Sequence, residues 1–439
     1  MKIIKLFLFL TVLASLASCN LDLANPNAAT EADVLTTKDG LLALAKGVEH
    51  RYATSTLPAA ILTPGISGRE IAAMTTFSSL EELEDGGAQL ASENERVTRL
   101  FARTMRTKGM AETLLDNMDN VSMNAGTKSA LRAHATLFRS MCLGILAYNW
   151  EKVPAKNSKN NDAQFVDREA ALRDAIAQMS SALTALEAEP ASDEFNKTLS
   201  GIDLNDALNL YIARFNLIVG DYDGAIDAAK KVNLAAAPSY FYYDAQNPNG
   251  IFTTMFEGTI EYAPIVNFGL PTTLTPDAGD QRVGFYLASV TKSGIHFDVD
   301  SIVAPFFNAA DAGIPVYYPS EATLILAEAY ANKDDFDTAE TYLNEVRKKA
   351  AADDVLGIGA GLLTDFTANN DKQKLLNEIY KNRRIELFLS GLGLEDSRRL
   401  GRPTPPATVD YSAERNRNFY PYPADERLNN PNTPANPTL

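Results

Sequence analysis

The clearest structural pattern in this chain is YYPSEATLILAEAYANKDDFDTAETYLNEVRKKA, residues 317–350. Its apolar and small residues recur at spacings of three and four, which is the period of a helix with one buried face. Polar residues, among them two adjacent aspartates, interrupt the pattern near its middle. The spacing therefore predicts two helices, over 318–331 and 336–351, joined by a short turn.

A second segment repeats this pattern earlier in the chain. Residues 212–225 align with residues 326–339, and three paired positions carry the match: Ala213 with Ala327, Tyr222 with Phe336, and Ala225 with Ala339. A small residue lets two helices approach, an aromatic residue fills the turn, and the last alanine packs where the helices cross. The match favours tetratricopeptide-like repeats over generic helical hairpins, which are the alternative.

The rest of the chain divides into helical and loop-rich regions. Helical spacing predicts paired helices over about 127–187, 204–233, 318–351 and 371–400. Residues 55–100 lack clear periodicity, and residues 239–317 are rich in aromatic residues, Gly and Pro, which favours short strands and long loops. We therefore predict a mainly α fold: one domain over 37–439, in which a tetratricopeptide-repeat-like helical scaffold carries a loop-rich insertion with short strands.

The N-terminus is typical of an exported lipoprotein. Lys2 and Lys5 precede an apolar run over 6–16 that is short for a membrane span, and small residues then lead to Cys19. We expect residues 1–18 to be a signal peptide, Cys19 to carry fatty acyl chains such as palmitate, and 19–36 to be a tether. An ordinary signal peptide followed by a chance cysteine is the alternative. No later run is apolar enough to cross a membrane, so we predict a lipid anchor only.

Composition excludes several classes of protein. The chain has 439 residues, of which 46% are hydrophobic, and 40 Lys+Arg against 56 Asp+Glu give a net charge of −16. This apolar content is too high for a disordered protein, and the negative charge argues against binding to nucleic acid. With two Cys and three His, a zinc site or a disulfide framework is not expected. Cys142 lies in a helical pattern and is predicted to be buried.

Motifs for catalysis are missing from the sequence. It has no phosphate-binding loop, no HExxH and no GxSxG, and its three histidines lie far apart. The acidic run Glu81, Glu82, Glu84 and Asp85 could supply a general acid and base, but such a run is more typical of a solvated helix end. We predict no enzyme activity, no catalytic residue, no metal site and no cofactor. A surface glycoside hydrolase is the alternative from another class, and a purely structural surface protein is a further one.

Several segments, taken in order, resemble one known family. LRAHATLFRSMCLGILAYNWEKVP (131–154), Asp280-Gln281-Arg282, the stretch 317–350, LLNEIYKNRRIELFLSGLGLEDSRRLG (375–401) and NFYPYPADERLNNPN (418–432) resemble motifs of RagB/SusD-type nutrient-binding outer-membrane lipoproteins. Three places depart from the family pattern: Asn382 stands where the family has Glu, Gly391-Leu392-Gly393 lacks its Arg, and Tyr-Pro-Ser-Glu at 318–321 lacks the Arg of its Arg-Tyr-Ala-Glu helix. We expect these changes to alter an internal ion-pair network.

The resemblance implies a function. Members sit on the cell surface over a SusC-like TonB-dependent outer-membrane transporter, bind an oligosaccharide and release it into the barrel, without being enzymes. The resemblance therefore implies localisation at the outer membrane, a SusC-like partner and an oligosaccharide ligand. A peptide ligand, as for RagB-like members, is the alternative, and the single Trp150, which we expect to pack structurally, weakens the case for a glucan-like ligand.

The resemblance also places the ligand pocket away from the repeats, in loops that here are roughly 55–100 and 265–300. Aromatic faces can contact sugar rings, and arginines can bind hydroxyl or carboxylate groups. The residues of these types that we predict to bind ligand are Arg69, Glu70, Phe77, Phe268, Arg282, Phe285 and Tyr286. Core packing is the alternative for each of them, and Arg282 could instead belong to a structural ion pair.

Overall fold

The computed structural model of the protein describes residues 31–361 and 363–439, with side chains from residue 34 onwards. The predicted signal peptide, residues 1–18, and the predicted lipidation site Cys19 lie outside the described residues. So does the first part of the tether predicted over 19–36.

Helices make up most of the described chain. They are α1 (Glu31–Thr36), α2 (Lys38–Arg51), α3 (Leu57–Ser67), α4 (Ser78–Asp85), α5 (Glu95–Asn117), α6 (Ala125–Asn149), α7 (Arg168–Ala188), α8 (Asp193–Thr198), α9 (Leu204–Ile218), α10 (Tyr222–Ala229), α11 (Gly250–Phe256), α12 (Gln281–Tyr286), α13 (Ser320–Asn332), α14 (Phe336–Lys348), α15 (Lys372–Glu386), α16 (Gly393–Arg399) and α17 (Ala424–Asn429). The prediction of a mainly α fold is confirmed.

The two matched sequence segments form helical hairpins. The first consists of α9 and α10, and the second of α13 and α14. The four alanines of the pattern, Ala213, Ala225, Ala327 and Ala339, are fully buried, as expected where helices approach closely. In each hairpin the second helix begins at an aspartate whose side chain accepts a hydrogen bond from a backbone N–H. Buried alanines and capped turns therefore explain why this pattern folds as paired helices.

Short strands appear in pairs between the helices. They are β1 (Ile71–Ala73), β2 (Lys152–Pro154), β3 (Phe165–Asp167), β4 (Tyr240–Phe241), β5 (Tyr262–Pro264), β6 (Lys292–Ser293), β7 (Asp298–Val299) and β8 (Ile314–Pro315). Each pair is antiparallel: β1 with β5, β2 with β3, β4 with β8, and β6 with β7. The pairing of β4 with β8 closes the base of the insertion, and the pairing of β1 with β5 ties the insertion to the segment that follows α3.

The region 55–100 is more helical than the sequence indicates. A single turn of π-helix over Tyr52–Thr56 joins α2 directly to α3, whose sequence is LPAAILTPGIS. Every residue of α3 is buried. A helix that is buried on all sides has no polar face, and so its sequence shows no helical period. This burial explains why periodicity fails to reveal α3.

Buried ion pairs connect the helices that carry the repeats to the insertion. Glu386 at the end of α15 accepts from Arg282 of α12 (3.0 Å) and from Lys349 after α14 (2.6 Å). Burial alone would raise the pKa of Glu386, but Lys349 and Arg282 outweigh it and hold the pKa below its ordinary value. Asn382, where the family has Glu, accepts from Arg282 (2.8 Å), so this substitution keeps a bond to the guanidinium.

Candidate functional site

Arg69 and Glu70, both predicted to bind ligand, are buried in a turn after α3. The guanidinium of Arg69 donates to the backbone carbonyls of Glu84 (2.8 Å) and Asp410 (3.3 Å). Burial lowers the pKa of Arg69 to about 10. One carboxylate oxygen of Glu70 accepts from the backbone N–H of Leu389 (3.2 Å), and burial raises the pKa of Glu70. These two side chains hold the turn together and have almost no surface to offer a ligand.

Arg282, Tyr286 and Phe268 are also internal. Arg282 donates to Asp280 (2.7 Å) and to Glu386, which confirms the structural ion pair. The Tyr286 hydroxyl donates to the backbone carbonyl of Glu386 (2.9 Å), and Phe268 packs edge-on against the Tyr286 ring. All three side chains are fully buried. These three side chains therefore offer no surface to a ligand in this structure, and the polar groups of Arg282 and Tyr286 are bonded to Glu386, which is distant in sequence.

The last two predicted residues keep some exposure but do not form one surface with the other five. Phe77 precedes α4 and is 47% exposed. Phe285 is half-buried, and its ring packs against those of Tyr286 (4.9 Å between centroids) and Phe306 (5.8 Å). Phe77 thus remains available to a ligand, whereas most of the Phe285 ring belongs to an aromatic cluster.

Three other sequence-based interpretations have clear outcomes. Cys142 and Trp150 are fully buried as predicted, and the Trp150 indole N–H donates to the Pro421 carbonyl (3.1 Å). The acidic run is not a fully solvated helix end, because Glu84 is buried and accepts from the backbone N–H of Ala73 (2.6 Å) and from His296 (2.8 Å). Glu84 thus fastens the end of α4 to β1. Among the described residues, no group of three or more His, Cys, Asp or Glu is arranged to hold a metal ion.

Two adjacent cavities do open on the loop-rich side of the molecule. The first, which we name the arginine pocket, has a volume of about 210 Å³. It lies between α3, α5 and α11, and is lined by Thr54, Pro58, Ala59, Leu62, Thr63, Arg96, Arg99, Arg103, Gly250, Thr253, Thr254 and Tyr262. The three arginines follow one another at spacings of three and four, which places them on one face of α5. Guanidinium groups and hydroxyls therefore supply the polar surface of this cavity.

The three arginines of the pocket differ in whether they form an ion pair with a carboxylate. Arg96 pairs with Glu261 (2.8 Å) and donates to the Tyr262 hydroxyl (3.1 Å), and Arg99 pairs with Glu95 at the start of α5. Arg103 donates to the backbone carbonyl of Ser55 (3.2 Å) and, within the described residues, pairs with no carboxylate. Burial lowers the pKa of Arg103, and the neighbouring guanidinium groups of Arg99 and Arg51 lower it further. The pocket therefore carries positive charge that is not balanced on its walls.

The second cavity, which we name the apolar pocket, shares Tyr262 with the first and has a volume of about 350 Å³. It is lined by Met74, Met255, Phe256, Ile260, Tyr262, Ala263, Pro264, Lys292, Val299, Asp300, Ser301 and Ile302. Phe256 is 39% exposed, and its ring stacks on that of Phe252 (5.3 Å between centroids, 21° between planes). Such a pair offers a flat apolar face at the rim of the cavity.

Helix α11, which separates the two pockets, is firmly positioned. Its capping residue Asn249 accepts from the backbone N–H groups of Ile251 and Phe252 and donates to the carbonyls of Phe306 (2.8 Å) and Ala312 (2.9 Å). A Cβ on Gly250 would lie only 2.8 Å from Pro58, so glycine permits the close approach of α11 to α3. Both walls of the arginine pocket are thereby fixed relative to each other.

The sequence contains local signals for these pockets, although the predicted site residues include none of the side chains concerned. Arg96, Arg99 and Arg103 share a helix face, and Phe252 and Phe256 are four residues apart, which places the two rings side by side on α11. What the sequence does not contain is the pairing of β1 with β5, which sets Ala73 opposite Tyr262. That pairing brings α11 and α5 to the same cavity.

The C-terminal part of the sequence matches a known family. A model of the SusD family matches residues 307–438, and three of the resembling segments, 317–350, 375–401 and 418–432, lie within this match. No curated protein matches the chain at a significant level. The sequence match thus covers the second repeat hairpin and everything that follows it.

Solved structures match over nearly the whole chain. A SusD superfamily protein from Bacteroides thetaiotaomicron has a TM-score of 0.69 at 15% identity, covering 92% of this chain and 100% of its own. NanU from B. fragilis has a TM-score of 0.67 at 14% identity, covering 94% and 99%. A SusD-like carbohydrate binding protein from Bacteroides vulgatus has a TM-score of 0.68 at 13% identity, covering 90% and 97%. At these identities the likeness concerns the fold.

Among the described residues, no helix is both long enough and apolar enough to cross a membrane. The sequence match over 307–438 and the fold shared with solved structures agree with each other. Both agree with the helical hairpins and the loop-rich insertion between them. The chain therefore has a fold like that of SusD superfamily proteins, and its residues 307–438 match the SusD family.

Proposed function

We propose that this protein is a cell-surface nutrient-binding lipoprotein that captures an oligosaccharide and passes it to a SusC-like TonB-dependent transporter. The observation that carries the proposal is the pair of adjacent pockets on the loop-rich side of a SusD-like fold. A structural relative is described as a carbohydrate binding protein, which supports a sugar as the ligand. The domain 37–439 would be the binding unit, and residues 19–36 would tether it.

The pockets suit an extended, polar ligand with apolar faces. Phe256 at the rim of the apolar pocket offers a stacking surface for a sugar ring, and the threonine hydroxyls of the arginine pocket can bond to sugar hydroxyls. Phe77, the exposed residue of our sequence-based set, is a further candidate contact. We expect affinity in the range of about 1 μM to 1 mM, which permits both capture and release.

The capture proposal is tested by calorimetry with a panel of oligosaccharides and by following the bound member over time. Binding without shortening of the glycan is the expected result. Degradation at a rate proportional to protein concentration would instead favour the glycoside hydrolase alternative, and binding of peptides alone would favour a RagB-like role. Co-purification of a TonB-dependent barrel with the membrane-extracted protein tests the partner, and its loss in a strain lacking that barrel is the control.

The lipid anchor is tested separately. Cys19→Ala should leave a protein that no longer incorporates labelled fatty acid and no longer partitions into detergent. Cys142→Ala is the matched control, because Cys142 is buried and should be irrelevant to anchoring. Continued acylation of the Cys19→Ala protein would contradict the assignment.

A further inference from the structure

The charge on the walls of the arginine pocket is unusual for this chain. The protein has a net charge of −16, yet three arginines and, among the described residues, no carboxylate line this cavity. Arg99 and Arg96 pair with Glu95 and Glu261, which are not among the lining residues, and Arg103 has no such partner in the described chain. A local excess of positive charge acts over a range of about 8 Å at physiological ionic strength. We therefore expect the electrostatic potential to be positive inside the pocket, although the net charge of the molecule is negative.

We infer that the arginine pocket binds the carboxylate or sulfate of an acidic oligosaccharide, with Arg103 and Arg99 as the residues that select it. The inference rests on the proposed function, since it names the class of oligosaccharide that the same site takes. Arginine suits this task because its planar guanidinium can donate two parallel hydrogen bonds to an oxyanion. Arg103 has donors left for a ligand, because it donates only from Nη1 to the Ser55 carbonyl among its described hydrogen bonds.

The electrostatic situation of Arg103 supports this assignment. Desolvation and the nearby charges of Arg99 and Arg51 disfavour its cationic form, and Glu95 offsets them only in part, so that the pKa of Arg103 is lowered. An anion in the cavity would offset that repulsion, whereas a neutral sugar would not. The wall of the arginine pocket opposite α5 is also well defined, since Asn249 and the contact of Gly250 with Pro58 hold α11 in place. Binding an anion there requires little rearrangement.

The neighbouring apolar pocket explains why a sugar acid fits better than a simple anion. Tyr262 borders both cavities, so the two lie side by side, and we infer that an oligosaccharide with its acidic unit near Arg103 places a further unit at the apolar pocket beside Phe256. A free sulfate or phosphate ion would leave this apolar surface unused. The two pockets together therefore fit a ligand that carries a charge and a ring face on adjoining units.

The test compares acidic and neutral ligands on the purified protein. The probes are tetragalacturonate, its fully methyl-esterified form, a chondroitin sulfate tetrasaccharide, neutral cellotetraose and a glutamate hexapeptide. Arg103→Gln and Arg99→Gln should each weaken binding of an acidic saccharide at least about tenfold, because each removes a charge-assisted hydrogen bond. Arg132→Gln, which alters an arginine on α6 that pairs with Asp119, is the matched control and should change nothing.

Each outcome bears on a different claim. Preferential binding of the carboxylated or the sulfated saccharide, weakened by salt and by both variants, supports the inference and tells the two oxyanions apart. Equal binding of neutral and acidic members, unaffected by Arg103→Gln, overturns the inference and leaves the proposed function standing. Binding of the peptide alone overturns the sugar assignment, and binding of no probe by the folded protein counts against both proposals. Arg99 is exposed, so Arg99→Gln still tests the inference even if Arg103→Gln fails to fold.

Discussion

Two cavities, one beside the repeat helices and one beside the loop-rich insertion, differ in what their charges do. The larger, of about 590 Å³, lies by the repeat helices and is lined by Glu187, Asp203, Asp206 and Lys231 among others. Its aspartates are engaged: Asp203 accepts from the backbone N–H of Asp206 (3.0 Å), and Asp206 from that of Asn233 (3.0 Å). The smaller arginine pocket keeps a guanidinium, that of Arg103, with no carboxylate partner in the described part of the chain. Glu187 and Lys231 of the larger cavity also have no ion pair among the described residues, but their charges are of opposite sign, whereas the arginine pocket is lined by positive charges only. The sign of the charge on the walls therefore distinguishes the two cavities better than their volume does.

The same contrast holds for the two halves of the molecule. The repeat side binds its polar groups internally, as in Asp396, which accepts from Arg383 (2.8 Å) and Arg399 (2.8 Å). The loop-rich side buries Arg69 and Arg282 just as fully, but leaves Arg103 and the Phe256 ring accessible. Asp396, Arg69 and Arg282 thus make their hydrogen bonds inside the protein, whereas Arg103 and Phe256 keep surface that a ligand could reach. Substitutions on the repeat side are therefore expected to change mainly stability, and substitutions of Arg103 or Phe256 mainly ligand binding.

The largest effect is expected at the junction of the two halves. Glu386→Ala removes the carboxylate that Arg282 and Lys349 share and leaves them with Asp280 and Asp354 as their remaining carboxylate partners, which should cost about 3 kcal/mol of unfolding free energy. Urea unfolding followed by circular dichroism measures it. Glu386→Gln, which keeps the shape and some hydrogen bonds, should cost less. A loss under about 1 kcal/mol for the Ala variant would mean that the network does not hold the halves together.

Acidification should reproduce part of that loss. Because the pKa of Glu386 is held below its ordinary value of 4.5, the ionised form stabilises the fold above that pH, and the contribution disappears as pH falls toward the folded-state pKa. The pKa of Asp396 is lowered in the same sense. Unfolding free energy measured from about pH 6 down to about pH 3 should therefore fall, and Glu386→Gln should make the fall shallower. An identical slope in both proteins would contradict the assignment.

Adding volume to the core of the repeat side should lower the stability of the protein without changing its affinity for the ligand. Ala339→Trp places a large ring where α13 and α14 cross and should cost about 1–3 kcal/mol. Thr341→Trp puts the same ring on an exposed position of α14 and serves as the control. Thermal and urea unfolding give the stability, and calorimetry gives the affinity of each folded variant. A folded Ala339→Trp protein with weakened glycan binding would break the division between the halves.

The smallest effect on stability, and the clearest on binding, is expected at the rim of the apolar pocket. Phe256→Ala removes a half-exposed ring and should weaken oligosaccharide binding about tenfold, or about 1.4 kcal/mol, with little change in unfolding. Tyr242→Ala is the control, since Tyr242 is 68% exposed and lies outside both pockets. Equal losses from the two variants would indicate non-specific contact with aromatic surface.

Much of the scaffold is predictable because its signals are local. Periodicity, small residues such as Ala213 and Ala327, and aspartate caps act within one or two helical turns, and the predicted helices at 318–331 and 336–351 match α13 and α14 closely. Hydrophobic periodicity does not reveal α3, because this helix is buried on all sides and has no polar face. Sequence alone thus identified the repeat side and the position of the loop-rich insertion.

The site depends on contacts that no local pattern contains. An arginine has the same sequence signature whether it meets Asp280 and Glu386, as Arg282 does, or an open cavity, as Arg103 does. Only the folded chain decides, because burial of a charge is tolerable where partners from distant segments compensate it. The local patterns of the sequence are enough to predict the helical scaffold and the resemblance to RagB/SusD-type proteins, and they favour a ligand on the loop-rich side. Only the folded chain shows which side chains are bonded internally, because those bonds join residues that are far apart in the sequence. The pairing of β1 with β5 is an example.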